Sequence, residues 1–472
     1  IIQNFIDSGE IYGLSEDVDI RKVTRLISHE VMNPNLPADQ TVVSIMPSAP
    51  MKSLRKLEDK LSSIALQVED DGKVTIPRGA FLNHEQRHYP QVNLDLEREK
   101  LFFGLGGKLV SRTADEYGVD SVSDSLQDIE DYISSVLYAN PENADLAQRS
   151  VMEALLYILC TPFHSHYMRL RRRTFGVTEE RGPRILHIWG GTSNGKSKLL
   201  NYASMLMTGK ELIKPLNGED FSFKQVKNHL GWSSVFPMMW DDLTNDKWGK
   251  GKDTEKVIKN YWDKLWQYED EFPQLVLTSN RMCPRGPLQT RVKEIHLSST
   301  YPRNAETRKI LASHLSRENR FFEYFTKGYI EHIKNNPDDY SDDEAHIGRK
   351  VILDLYKMCG RDIPRWFPTT SLEDEYSPTS KNIIRALHQR ICTPDWQYGE
   401  LILRFDESMQ HWEFKEYFEG IPNEFEVERR GSNIFIKRPV EFLPWLQRGQ
   451  QYYGKKLPFV LKMRLGFPLL RR

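Results

Sequence analysis

Residues 185–197 read ILHIWGGTSNGKS, an apolar run that leads directly into a glycine-rich loop. The run 185–189 predicts a buried strand, the loop matches the pattern GxxxxGK[ST] in full, and residues 199–207 predict a helix. Glycines in such a loop let backbone amides turn towards phosphate groups at the helix N-terminus. We therefore predict a nucleotide-binding loop made of Gly190, Gly191, Thr192, Ser193, Asn194, Gly195, Lys196 and Ser197.

The last two residues of this loop carry the groups that a nucleotide requires. Lys196 is placed to neutralise the β- and γ-phosphates, and the Ser197 hydroxyl is placed to ligate Mg²⁺. ATP and Mg²⁺ are therefore the expected cofactors.

Two acidic residues, Asp241 and Asp242, directly follow the apolar run 235–240. Adjacent acids at a strand end suit a division of labour, in which one acts through Mg²⁺ and the other orients the attacking water. The sequence leaves open which acid does which, and we take Asp241, with Ser197, as the candidate metal ligand. Pro237 inside the run is unusual for a central strand.

Two more polar residues stand at the limits of strand-like runs. The run 275–279 predicts a buried strand that ends at Asn280, whose amide could bond the γ-phosphate or the lytic water. Arg291 precedes another such run, 292–297, and an arginine there could reach into a neighbouring protomer's site and neutralise transition-state charge. The catalytic candidates are therefore Lys196, Asp241, Asp242, Asn280 and Arg291.

Composition limits the class of protein. The 472 residues are 39% hydrophobic and 28% charged, and no stretch approaches the roughly 18 to 20 apolar residues of a membrane span. Four scattered cysteines form no CxxC pair, so we expect a reducing, intracellular setting and no membrane partner. The net charge of -1 means that any contact with nucleic acid would come from local basic patches. The patches are Arg169 to Arg173 and the tail after Glu441.

The pattern of helix-like and strand-like runs predicts an α/β protein with several domains and segments. We expect a small α/β domain at 1–80, which a truncated start would shorten, and a linker with a helical segment at 81–173. The core, 174–300, alternates strand-like and amphipathic runs and predicts a parallel sheet with flanking helices. A helical extension at 301–345 precedes a C-terminal α+β module at 346–472. In this module two predicted helices followed by a basic hairpin are similar to a winged helix.

Four motifs of the core, GGTSNGKS, MMWDD, LVLTSN and LQTR, occur in this order. The set resembles Walker A, Walker B, motif C and the arginine finger of superfamily 3 helicases, the group of parvovirus Rep and of papillomavirus and polyomavirus initiator helicases. The segment 280–297 is especially similar to the large T antigen type. The resemblance covers about 120 of the 472 residues.

The resemblance implies an AAA+-like P-loop NTPase core, ring hexamers and 3′-to-5′ translocation. By it, Lys196 and Ser197 bind phosphate and metal, and Asp241 and Asp242 are the Walker B acids. Asn280 is the sensor, and Arg291 is the finger that acts on a neighbour.

The family also carries a lysine-bearing hairpin that grips DNA, between Walker B and motif C. Here that interval holds the run 247–252, with Trp248, Lys250 and Lys252 as candidate nucleic-acid contacts, and Trp248 could stack on a base. An ordinary exposed loop is an equally good interpretation of this run.

Two classes of function remain. The first is an ATP-driven homo-oligomeric motor that translocates on or unwinds single-stranded DNA, with a cytoplasmic location, or a nuclear one for a virus of eukaryotes. The second is an ATP-gated switch or assembly ATPase that controls a protein effector, for example in anti-phage defence. The string DEAH, residues 343–346, is not interpreted as a Walker B motif because no apolar strand precedes it.

Overall fold

The computed structural model describes most of residues 42–449 and, before them, residues 23, 26, 27, 30–33 and 36. The gaps within 42–449 are 63–64, 82–89, 106–107, 140, 142–143, 177–181, 210–212, 231–233, 245–246, 248–251, 265–272, 281–287, 289–290, 298, 372–377, 389–390, 398, 408 and 422–424. The chain divides into two compact units, with the boundary between Ser371 and Leu372.

The first unit begins with a small antiparallel sheet and one helix. Its elements are β1 (Val42–Ile45), α1 (Met51–Lys60), β2 (Gln67–Val68) and β3 (Val74–Pro77), and the strand order is β1-β3-β2. Apolar residues of α1 and of the strands, among them Leu54, Leu57 and Val74, form a cluster of their own.

A second antiparallel sheet occupies the region for which the sequence predicted loops and a linker. It consists of β4 (Gln91–Asp95), β5 (Lys100–Leu105) and β6 (Lys108–Ser111). Val92, Leu101 and Phe103 from this sheet join the main hydrophobic core. The alternation of apolar and polar residues here is short, and the nearby glycines and charged residues obscured it. The linker interpretation of 91–111 is therefore corrected.

Helices then lead into the core, as the apolar periodicity predicted. They are α2 (Val119–Ser134), α3 (Ala144–Cys160) and α4 (His164–Phe175). Helix α3 is buried along its length from Ala147 to Cys160, which is typical of a helix enclosed on all sides.

The core is a five-stranded sheet in which all strands are parallel, with order β11-β7-β10-β9-β8. Its strands and intervening helices are β7 (Ile185–Trp189), α5 (Lys196–Thr208), β8 (Leu216–Asn217), α6 (Phe223–Leu230), β9 (Met238–Leu243), α7 (Asp253–Lys264), β10 (Leu275–Ser279) and β11 (Val292–His296). The middle strands β7 and β10 are buried along almost their whole length, which is typical of a parallel sheet that is covered on both faces. Pro237 lies one residue before β9, so it removes no hydrogen bond from within that strand.

Three helices complete the first unit: α8 (Ala305–His314), α9 (Phe321–Asn335) and α10 (His346–Met358). The sequence placed α10 with the C-terminal module, but its buried face, which includes Ile352 and Leu355, belongs to the main core. Close packing at Gly348 explains this position, because a Cβ there would lie 3.1 Å from Leu156 of α3.

The second unit is α+β and is built around an antiparallel sheet of order β12-β13-β15-β14. Its elements are α11 (Pro378–His388), β12 (Cys392–Gln397), β13 (Glu400–Phe405), α12 (His411–Glu419), β14 (Val427–Arg430), β15 (Asn433–Ile436) and α13 (Pro439–Gly449). The hairpin predicted at 424–437 is present as β14 and β15. Of the two helices predicted before it, the first is α10, which belongs to the first unit. A further hairpin, β12–β13, and helix α12 lie between the second, α11, and β14. This arrangement differs from the winged-helix interpretation, which placed both helices in the C-terminal module directly before the hairpin.

Within the described part of the chain, no helix is long and apolar enough to cross a membrane. The basic tail beyond Gly449 lies outside the described residues.

Candidate nucleotide site

The glycine-rich loop joins β7 to α5 at the carboxyl edge of the core sheet. Gly190 donates its backbone N–H to the Ser279 carbonyl at 3.3 Å, and Gly195, with φ of 84°, precedes the first residue of α5. A left-handed φ of this kind favours glycine. Of the eight residues predicted from the sequence, Gly190 to Gly195 lie in this turn, and Lys196 and Ser197 begin α5, where Ser197 is exposed.

The side chain of Lys196 folds over the loop. Its Nζ donates to the carbonyl oxygens of Gly190 at 2.8 Å and Gly191 at 2.9 Å, and to Oδ1 of Asn280 at 3.0 Å. Partial burial lowers the pKa of Lys196, and the negative charges of Asp242 and Asp241 oppose that shift. The ammonium group is therefore placed between the loop and the acidic residues of the neighbouring strands.

Asn280 links this lysine to the acids. Its Nδ2 donates to Oδ1 of Asp242 at 3.1 Å, while its Oδ1 accepts from Lys196. Since Asn280 follows β10, which lies between β7 and β9, it is on the strand that can touch both partners. The structure thus brings together Lys196, Asn280 and Asp242, residues from three separate motifs.

The two acids occupy the end of β9 in an irregular conformation. Asp242 has φ of 58°, and the pairing of β9 with β10 shifts register between Leu277 and Ser279. Adjacent residues of a regular strand point to opposite faces, so this irregularity redirects one of the side chains. A non-glycine residue in this conformation costs on the order of 1–3 kcal/mol and is often found at functional sites.

Thr278 contacts both acids, which the sequence did not predict. Its hydroxyl donates to Oδ1 of Asp241 at 2.7 Å and accepts the backbone N–H of Asp242 at 2.8 Å. One hydroxyl therefore holds both acids against β10. The signal in the sequence was a threonine after three apolar residues of a buried strand, where a polar side chain requires a partner.

The donor set suits Mg²⁺ held mainly through nucleotide oxygens. Ser197 and Asp241 supply one hydroxyl and one carboxylate at the same edge of the sheet. The described residues contain no group of three or more histidine, cysteine or acidic side chains that could hold a metal by themselves. Mg²⁺ commonly takes one or two protein ligands and completes its shell with phosphate oxygens and water.

Arg291 lies at the amino edge of the core sheet, where the parallel strands begin, and the glycine-rich loop lies at the carboxyl edge, where they end. It immediately precedes β11, and Val292 pairs with Ile185 at the start of β7. Because the strands are parallel, the five residues of β7 separate this level from Gly190 by about 16 Å. Arg291 is therefore remote from its own glycine-rich loop.

Of the three candidate nucleic-acid residues, only Lys252 falls within the described part of the chain. It is exposed and directly precedes α7, in the connection that leaves the carboxyl end of β9. Trp248 and Lys250 lie outside the described residues.

A family model described as "Aq_aa27 P-loop NTPase domain" matches residues 110–282, which include the glycine-rich loop, both acids and Asn280. No curated protein matches the sequence. One solved structure, titled "SCCmec type IV Cch - active helicase", is similar at 12% identity and a TM-score of 0.30, over 62% of this chain and 68% of that one. That score is too low to carry an argument. The parallel sheet, the loop and the family match together show that this chain contains a P-loop NTPase domain.

Proposed function

We propose that this protein is an ATPase of the superfamily 3 helicase type, which hydrolyses ATP between protomers of a homo-oligomeric ring and moves on single-stranded DNA. The observation that carries the proposal is the hydrogen-bonded chain from Lys196 through Asn280 to Asp242. It joins one residue from each of the segments that resemble Walker A, motif C and Walker B.

Each group at this edge has a part in hydrolysis. Lys196 and the loop amides would bind the phosphates, and Mg²⁺, once bound to Ser197 and Asp241, would neutralise charge on the phosphate oxygens. Asp242 would accept a hydrogen bond from the attacking water. The Asn280 amide, which already touches both Lys196 and Asp242, would respond to the γ-phosphate.

The position of Arg291 supports a site completed by a neighbouring copy. Its distance from its own loop, about one strand length, argues against action within the same protomer. In a rotationally symmetric ring each interface joins two different surfaces of the chain, so the amino edge of one sheet can face the carboxyl edge of the next. Arg291 would then neutralise transition-state charge in the adjacent protomer.

Steady-state ATP hydrolysis, with and without single-stranded DNA, tests the proposal. We expect hydrolysis that DNA stimulates, that Lys196→Ala abolishes, and whose stimulation falls in Lys250→Ala and Lys252→Ala. Lys309→Ala is the matched control, because Lys309 is exposed on α8. Hydrolysis that is sensitive to Lys196→Ala but indifferent to DNA would contradict the motor and favour an ATP-gated switch.

A further inference from the structure

The chain that leaves β11 runs back along the glycine-rich loop before α8 begins. Leu297 accepts a hydrogen bond from Nδ2 of Asn194, and Thr300 donates to Oδ1 of the same side chain at 3.3 Å. Tyr301 donates its backbone N–H to the Ser193 carbonyl at 3.0 Å. Two successive loop residues are therefore tied to this segment, which fixes its position beside the phosphate-binding turn.

The aromatic ring of Tyr301 adds steric contact at the same place. A Cβ on Gly195 would lie 2.8 Å from its Cε2 atom, so the ring fills the space that glycine leaves open. Burial raises the pKa of Tyr301, which keeps the hydroxyl neutral. The segment 299–303 thus packs against the loop through both backbone and side chain.

Arg303 ends this segment next to the loop. Its Nε donates to Oγ of Ser193 at 3.0 Å, and its side chain makes no ion pair with any carboxylate of the described residues. The following residue, Asn304, caps α8 by accepting the Thr307 N–H at 2.8 Å, which fixes the backbone just after Arg303. An exposed guanidinium is therefore held beside an anion-binding turn with its terminal nitrogens available.

We propose that Arg303 binds the polyphosphate chain of the nucleotide held by its own protomer. The inference rests on the proposed function, because it requires the loop to bind ATP. A guanidinium presents a planar fork of N–H donors that matches phosphate oxygens, and it stays charged at any working pH. Lys196 supplies one cation from within the loop, and Arg303 supplies a second from the segment that follows β11.

The proposed role of Arg303 differs from that of Arg291, because the two arginines lie at opposite ends of β11. Arg291 precedes the strand, at the edge remote from the loop, whereas Arg303 follows the strand and touches the loop. The two arginines would therefore serve different sites: Arg303 its own, and Arg291 that of a neighbour.

Equilibrium binding of ATP and ADP to full-length variants tests the proposal. We expect Arg303→Ala to weaken both nucleotides about 10- to 100-fold, the loss typical of a hydrogen-bonded charged contact, and Arg303→Lys to recover part of it. Arg308→Ala should bind as the wild type does, because Arg308 is exposed on α8 and its side chain makes no hydrogen bond to the loop. The unfolding temperature without nucleotide should be the same in all variants.

The possible outcomes separate this proposal from the one on which it rests. A wild type that binds no ATP contradicts the proposed function. A wild type that binds ATP while Arg303→Ala binds it equally well overturns only the role of Arg303. A lowered unfolding temperature with unchanged affinity would also overturn it, since Arg303 would then serve only to hold Ser193.

A mixing experiment tests action within the same protomer. Arg303→Ala mixed with Lys196→Ala should hydrolyse no more ATP than the two separately, because each protomer has a defect in its own site. Hydrolysis above that level would overturn the assignment.

Discussion

The Nζ atom of Lys196 donates a hydrogen bond to Oδ1 of Asn280 across 3.0 Å. The two residues are 84 positions apart in the chain and meet because β7 and β10 are neighbours in the sheet. The same amide donates to Asp242, so a substitution at any of the three positions should alter the side-chain positions of the other two.

Asn280→Ala should lower kcat for ATP hydrolysis by about 100-fold, the usual loss when one donor to a transition state is removed. ATP affinity should change little, since Lys196 keeps its contacts with the carbonyl oxygens of Gly190 and Gly191. Steady-state kinetics and equilibrium binding measure the two effects separately. A kcat within twofold of the wild type would show that Asn280 has no catalytic role.

Thr278→Val should lower kcat by about tenfold and raise the Mg²⁺ concentration needed for half-maximal activity. The substitution keeps the shape but removes the hydroxyl that holds Asp241 and the Asp242 backbone, a loss of about 1.5 kcal/mol. A Mg²⁺ titration of the hydrolysis rate measures both changes.

Thr326→Val is the matched control for this variant. Thr326 is buried in α9, and its hydroxyl has no hydrogen-bond partner among the described residues. The Thr326→Val variant should hydrolyse ATP at the rate of the wild type. If Thr278→Val and Thr326→Val needed the same Mg²⁺ concentration for half-maximal activity, Thr278 would have no role in positioning the acids for Mg²⁺ binding.

The sequence predicted the core well because parallel strands leave long apolar runs. The strands at 185–189 and 275–279, and the loop between β7 and α5, agree with their predicted limits. Pairing across strands is invisible in a single sequence, so the contacts of Thr278 and Arg303 were not foreseen. The sheet at 91–111 was missed because its strands are short and interrupted by charged turns. The roles of the site residues stay predictions.

The acids of the DEAH string have a structural position. Glu344 is buried and pairs with Arg184 at 2.8 Å, and Asp343 pairs with Arg349 at 2.7 Å. Burial alone would raise the pKa of Glu344, but the charge and hydrogen bonds of Arg184 outweigh it and lower that pKa to about 2. The first pair joins the loop before α10 to the residue that precedes β7, and the second joins the same loop to α10.

Glu344→Gln should destabilise the protein by about 3 kcal/mol at pH 7, because it removes the carboxylate from the buried ion pair between Glu344 and Arg184. A carboxyl whose folded pKa lies below its ordinary value of 4.5 stabilises the fold above that value, and the stabilisation is lost as pH falls towards 2. The variant should therefore show a smaller decrease in unfolding free energy between about pH 5 and pH 3. Denaturant unfolding across this range measures it.

Glu306→Gln serves as the control, since Glu306 is exposed on α8. It should match the wild type in both stability and pH dependence. A Glu344→Gln protein with wild-type stability at pH 7 would show that the buried pair contributes nothing net.

The most direct test of a site shared between protomers is ATP hydrolysis by a mixture of Lys196→Ala and Arg291→Ala proteins. Each variant alone should be inactive, because one lacks the phosphate-binding lysine and the other lacks the arginine. In mixed rings, an Arg291→Ala protomer offers an intact loop and a Lys196→Ala neighbour offers an intact Arg291. Random mixing in equal amounts should therefore restore activity at about a quarter of the interfaces. A mixture no more active than its two components would contradict hydrolysis at an interface completed by Arg291.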